Sequence, residues 1–417
     1  MPHRIVSFGI GLAVATIAVV GADAGPAQAT AGGTVRVLSA TAVEYKAATG
    51  KTNSVVISVS GLTVTVTDTA KPRAGTGCVA VPGRPTAVSC TLDNPVSMTA
   101  ILGDRNDRLA TSSALNLTVF ADAGNDVLTG GAGVDRLHGG PGNDKLTAGA
   151  GIRNTLYGDA GNDRLDGGPF GDTLLGAAGQ DTLHGAGDRD WLDGGNDDDV
   201  LWGDAGNDSL GDNVVVENGS DSFHGGAGTD QVSYRMHTKA VTADLDGQRD
   251  DGQSGERDTI GTDVENLEGT EAADRLIGNA ADNDIIGASG DNVISGGAGN
   301  DTIRTWKGKD KLYGQAGNDR ISSSGGADVI DGGPGADTIG SGNGDDTIHG
   351  GTGNDRIEGQ GDFDTIYGEA GDDDLYGGSA DQAWYENGGT LDGGPNATPL
   401  GDLCVAGDHG TAANCER

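Results

Sequence analysis

Large apolar side chains are scarce in this 417-residue chain, and aromatic residues make up only 4% of it. That scarcity excludes a conventional thick core and leaves an acidic disordered tail, a repeat architecture or a metal-dependent fold. Basic residues are also few: 26 Lys and Arg face 63 Asp and Glu, a net charge of −37. A generic nucleic-acid binder is thereby excluded, because phosphate neutralisation needs clustered Lys and Arg; cations are the natural partners. Beyond the first 20 residues no segment is apolar enough to span a membrane. Enzyme signatures are missing too, with no His-Glu-x-x-His, no Gly-x-Ser-x-Gly and too little non-repeat sequence for a hydrolase domain. The histidines are scattered, and His138, His184 and His349 fall at a variable surface position. Carboxylates are so abundant that a glycosidase-like pair carries no signal, and no enzyme is expected.

What is present begins with a leader. Arg4, an apolar stretch from Ile5 to Val20 and Ala27-Gln28-Ala29 predict a signal peptide over 1–29 and a secreted, extracellular protein. The four cysteines fit an oxidising compartment. Of the three pairings open to them, Cys78–Cys90 and Cys404–Cys415 are favoured, because the repeats between the two close pairs make an elongated object.

Charge divides the remainder. Residues 30–103 carry six bases and three acids, whereas 104–417 carry 19 bases and 59 acids. Segment 30–103 predicts a small β domain with one disulfide: Thr34–Leu38, Val55–Val59 and Leu62–Asp68 are rich in Val and Thr, the last in strict alternation.

From residue 104 the chain repeats itself, as in 122–128 (DAGNDVL), 131–137 (GAGVDRL) and 140–146 (GPGNDKL). Large aliphatics recur every nine residues from Leu276 to Leu375, twelve in register, with an Asp two residues before ten of them and Asn283 and Asn292 in the other two places. Disorder has no reason to hold phase for a hundred residues. An earlier block runs from Leu128 to Val232 with longer spacings at 146–156 and 210–223, which predict loops at the solenoid edge. Between the blocks, 233–273 loses the glycine rhythm, and Val241–Leu245 and Val264–Leu267 read as strands closing one array and starting the next.

These nonapeptides resemble the RTX, or hemolysin-type, calcium-binding repeat, and the resemblance covers about 104–375. The passages 225–234, 264–269 and 274–279 also look like array ends and restarts in that family, and the general layout is similar to its secreted actinobacterial members. The resemblance implies an all-β protein, a parallel β-roll (β-helix) solenoid. The organisation expected is a signal peptide (1–29), a small β domain (30–103), a first array (104–232), connecting strands (233–273), a second array (274–376) and a disulfide-closed C-terminal cap (377–417).

Calcium also follows from the spacing. Two nonapeptides make one coil of 18 residues, and coils stack about 4.8 Å apart, so aspartates 18 residues apart lie one above the other. Calcium takes oxygen ligands at about 2.3–2.6 Å, so one ion spans two coils. A stacked pair without a cation repels by about 3–4 kcal/mol at an effective dielectric near 20. The candidate ligands are Asp126, Asp135, Asp144, Asp163, Asp172, Asp181, Asp190, Asp199, Asp208 and Asp230 in the first array. In the second they are Asp301, Asp310, Asp319, Asp328, Asp337, Asp346, Asp355, Asp364 and Asp373. Thirteen stacked pairs arise: 126/144, 144/163, 163/181, 172/190, 181/199 and 190/208, then seven at a spacing of 18 from 301/319 to 355/373. Asp188, Asp193 and Asp250 lack the register and read as solvated turn residues. The function expected is calcium-dependent folding with a structural or interaction role at the cell exterior; the alternative is the non-catalytic repeat part of a hydrolase-like or adhesin system. An extracellular surface or protein partner is best sought in 30–103, where the charge turns positive.

Overall fold

The computed structural model describes residues 32–211, 219–377, 388–394, 403–406 and 411–415. The leader expected over 1–29 lies outside them. Among the described residues every regular element is a β-strand, and no helix is long and apolar enough to cross a membrane.

Each nonapeptide contributes a turn and a short strand, and each strand pairs in parallel with the strand one coil away. Ile303 lies beside Ile321 and Leu312 beside Ile330, both at the 18-residue interval. Side chains alternate between the two faces of a strand, so one aliphatic per strand points inward. The result is two facing columns of fully buried residues, with Leu137, Leu156, Leu174 and Leu192 on one face and Leu128, Leu146, Leu165 and Leu183 on the other. The fold is a parallel β-solenoid with a core one side chain thick per face.

The first face passes through the region between the arrays unbroken. Val232 pairs with Leu267, and Leu267 with Ile285. The strand expected around Val264–Leu267 therefore joins the two arrays rather than merely starting the second. The second face is interrupted: Phe223 pairs with Ile260, and strand Arg249–Gln253 runs antiparallel to both Asp258–Ile260 and Val241–Asp244. Parallel stacking then resumes, with Ala243 beside Leu276.

The sheets also run across residue 103. Val43 pairs with Met98 and Met98 with Leu117 on the first face; Val55 pairs with Leu109 and Leu109 with Leu128 on the second. The Val/Thr-rich strands appear as Thr34–Ser39, Ser54–Ser60 and Thr63–Asp68, and their antiparallel hairpins cover the open end of the stack. Cys78 and Cys90 stand opposite each other across an antiparallel pair and are disulfide-bonded. At the other end Leu375 pairs with Cys404, which is bonded to Cys415. The longer spacing at 146–156 is absorbed in the turn at Arg153, whose φ is +56°. The remainder of the second insertion, 212–218, lies outside the described residues.

Candidate metal sites

Every aspartate predicted as a ligand is buried, none more than 4% exposed. They form rows along the two edges of the solenoid. In each row the backbone N–H of one aspartate donates to Oδ1 of the aspartate in the next coil: Asp301 to Asp319 at 2.8 Å, Asp319 to Asp337 at 2.7 Å, Asp337 to Asp355 at 2.8 Å and Asp355 to Asp373 at 2.8 Å. The other edge of the second array runs Asp310, Asp328, Asp346, Asp364. In the first array Asp126, Asp144, Asp163, Asp181 and Asp199 make one row, and Asp172, Asp190, Asp208 and Asp230 belong to the other. All thirteen pairs expected from spacing are adjacent.

The arrangement spends one carboxylate oxygen and strands the other. Among the described residues no donor reaches Oδ2 of Asp126, Asp144, Asp163, Asp181, Asp190, Asp208, Asp230, Asp301, Asp319, Asp337, Asp355 or Asp364. A buried carboxylate oxygen without a partner is costly. Burial accordingly pushes the acids up: Asp163, Asp190 and Asp364 to about 8, and Asp126, Asp181 and Asp355 to about 7. Neighbouring carboxylates add to the effect, as Asp208 does on Asp190 and Asp346 on Asp364.

The stranded oxygens share their surroundings with carbonyls. A Cβ placed on Gly350 would lie 2.6 Å from Oδ2 of Asp355 and 2.8 Å from the carbonyl oxygen of Gly368 in the next coil. At Gly332 the same point is 2.5 Å from Asp337 Oδ2 and 2.6 Å from Gly350 O. Glycine thus leaves room for carboxylate and carbonyl oxygens to converge where any other residue would put carbon. An all-oxygen donor set with anionic members is what a hard divalent cation takes, and the residues present fit calcium.

A profile of the RTX calcium-binding nonapeptide repeat matches residues 118–234 and 259–381 in consecutive and overlapping segments. The chain belongs to this RTX family. Its cofactor is calcium, and it is a calcium-binding β-roll. Comparison with curated proteins gives no match.

The RTX register is not filled uniformly. Oδ2 of Asp135 accepts the N–H of Gly131 at 2.6 Å, and Oδ2 of Asp172 accepts that of Gly168 at 2.8 Å. Between them in the row stands Asn154, whose Nδ2 donates to Gly151 O and to Asp172 Oδ1, both at 3.0 Å. Oδ2 of Asp328 accepts the Ser323 hydroxyl. These three aspartates are satisfied by the protein itself, which the spacing did not reveal.

The rows also hold members that the sequence reading left out. Asp107 accepts the N–H of Asn53 and donates its own to Asp126; Asp221 and Asp258 extend the same row. Asp274, within a passage quoted for its resemblance, heads the next row. Each stands two residues before a buried Leu, Phe or Ile, so the signal was available. Glu265 was not findable in that way: it takes the N–H of Asp230 at 2.8 Å where the aspartate register breaks. Asp188 and Asp250 are exposed, as expected of turn residues, and Asp193 is half-buried. Asp250 nevertheless lies with Asp244 and Asp246 in a cluster whose carboxylate oxygens are within 4.8 Å of one another.

Proposed function

We propose that this β-roll is an exported protein that folds as it meets extracellular calcium and then serves a non-catalytic, structural or interaction role outside the cell. The observation that carries the calcium-coupled folding is the set of buried Oδ2 atoms that have no donor among the described residues, recurring from Asp126 to Asp364. Each is a site where the folded chain is incomplete until a cation arrives. Calcium bound between coils would be held by the aspartate carboxylates and the adjacent glycine carbonyls, and it would supply the positive charge that lets stacked carboxylates share one edge. Export is supported by the leader over 1–29 and by two disulfides, which persist in oxidising surroundings.

Far-UV circular dichroism of the mature chain, in chelator and then with rising calcium, tests the coupling. A shift from coil-like to β-rich is expected, with a midpoint of about 10⁻⁴–10⁻³ M, the range of extracellular calcium modules. Identical spectra in chelator and in millimolar calcium would refute it. Export is checked separately, by finding the chain in the culture medium with an N-terminus near Thr30.

A further inference from the structure

In most coils the fourth residue of the nonapeptide, two before the row aspartate, is glycine. A Cβ on Gly142, Gly317 or Gly335 would overlap the carbonyl of the same position one coil earlier, and Gly335 has φ +152°. Two consecutive coils on one edge abandon this rule, placing Phe170 and Asp188 ahead of Asp172 and Asp190; in the coil before them Gly151 still meets the carbonyl of Gly133, and the inserted residue brings Ile152 out between Gly151 and Asn154. These are also the coils in which the Asn154 amide donates to Gly151 O and Asp172 Oδ1, and Asp172 Oδ2 accepts the Gly168 N–H. Here the edge has exchanged the tight glycine turn for bulky side chains.

The exchange builds a surface. Ile152, Phe170 and Trp191 are 54%, 42% and 41% exposed. With Arg153, Asp188 and Arg189 they line an open groove of about 920 Å³. Among the described residues neither arginine enters an ion pair, and the pair stands in a region, 104–417, where 19 bases face 59 acids. Successive coils are about 4.8 Å apart, so the platform extends for two such steps, the length of a disaccharide.

The geometry points to a binding site for a carboxylated sugar chain in this groove. Flat indole and phenyl faces suit the C–H face of a pyranose ring, which is apolar and rigid. The two guanidiniums can take the ring carboxylates, in the two-pronged manner arginine favours, and Asp188 can accept a hydroxyl. A purely apolar partner would leave both guanidiniums unmatched, and a neutral sugar would leave their charge unused. The buried Asp172 and Asp190 also line the groove, so it adjoins the aspartate row on this edge.

The test is calorimetric titration of the calcium-loaded full chain with a galacturonic-acid tetrasaccharide and, in parallel, with cellotetraose. The acidic sugar is expected to bind at least tenfold more tightly than the neutral one. Trp191→Ala should weaken it tenfold or more, and Trp191→Phe, which keeps a ring, by less. Arg153→Gln with Arg189→Gln should remove the preference for the acidic sugar. Trp306→Ala, at another exposed tryptophan (44%), should change nothing. Bound calcium and far-UV spectra of every variant should match the parent, so that lost binding is not lost folding. No binding of either sugar at millimolar concentration, equal affinity for both, or affinity unchanged by Trp191→Ala would each overturn the assignment. So would adsorption to phospholipid vesicles that depends on Trp191 in the absence of sugar binding.

Discussion

Asp337 and Asp172 have the same place in the repeat and similar burial, yet they ask different things of a cation. Oδ2 of Asp337 has no donor among the described residues, whereas Oδ2 of Asp172 holds the Gly168 N–H. Asp337→Asn should therefore lower the calcium bound per chain and flatten the titration, because Asp337 belongs to the pairs with Asp319 and Asp355. Asp172→Asn should leave bound calcium nearly unchanged but reduce stability by about 1–3 kcal/mol, the penalty for a buried group losing its partner. Metal analysis and denaturant midpoints of the two variants in saturating calcium separate the effects. The raised acids make a second prediction. In the calcium-free folded chain Asp163, Asp190 and Asp364 titrate near 8, against 3.8 when exposed in the unfolded chain. The folded state therefore holds more protons, and its stability is fullest below about pH 4 and is lost progressively as pH rises from about 4 to about 8. In chelator, acidification from pH 8 to 4 should increase β-structure by circular dichroism. In calcium the same acidification should release the metal, since protons and calcium compete for the same oxygens.

The element that repeats is a turn whose shape rests on glycine for two reasons. At Gly350 the missing Cβ leaves space for ligand oxygens; at Gly335 it lets one coil's backbone sit against the carbonyl of the last. Gly335→Ala should consequently cost several kcal/mol, because both the contact and the positive φ forbid a side chain. Gly50, also at positive φ but with nothing near its Cβ, should tolerate alanine at about 1 kcal/mol. Thermal unfolding of both variants in calcium gives the comparison. Equal shifts would mean that backbone conformation, rather than coil-to-coil approach, sets the requirement.

At the scale of the molecule, each coil touches only its neighbours, so stability is nearly one-dimensional and frays from the ends. The N-terminal hairpins cover one end, and the Cys404–Cys415 bond ties the other, where Leu375 pairs with Cys404 and Leu391 with Ala412. Replacing Cys404 and Cys415 with serine should accelerate amide exchange in 388–394 and 403–406 while leaving the coils around Ile303 unchanged. Exchange that rises evenly along the chain would contradict a neighbour-by-neighbour stack. The unbroken first face through Val232, Leu267 and Ile285 further implies that the two arrays unfold together.

The nine-residue spacing of the aliphatics and the aspartates before them was enough to determine the coil, its buried columns and all thirteen stacked pairs, because a period of 18 leaves one way to superpose like residues. The two disulfides were legible for a related reason: an elongated stack keeps its distant ends apart. Other properties depended on tertiary structure, where donors come from turns whose conformation no spacing encodes. Gly131 and Gly168 turn their N–H groups onto Asp135 and Asp172, and Ser323 turns its hydroxyl onto Asp328, so three in-register aspartates need no cation to satisfy them. Only pairing across long intervals, Val232 with Leu267 and Val43 with Met98, made the connecting strands and the 30–103 segment parts of one continuous sheet. The repeat fixes contacts at 18 residues; those that bridge an irregular interval are chosen by which backbone edge remains open when the coil ends.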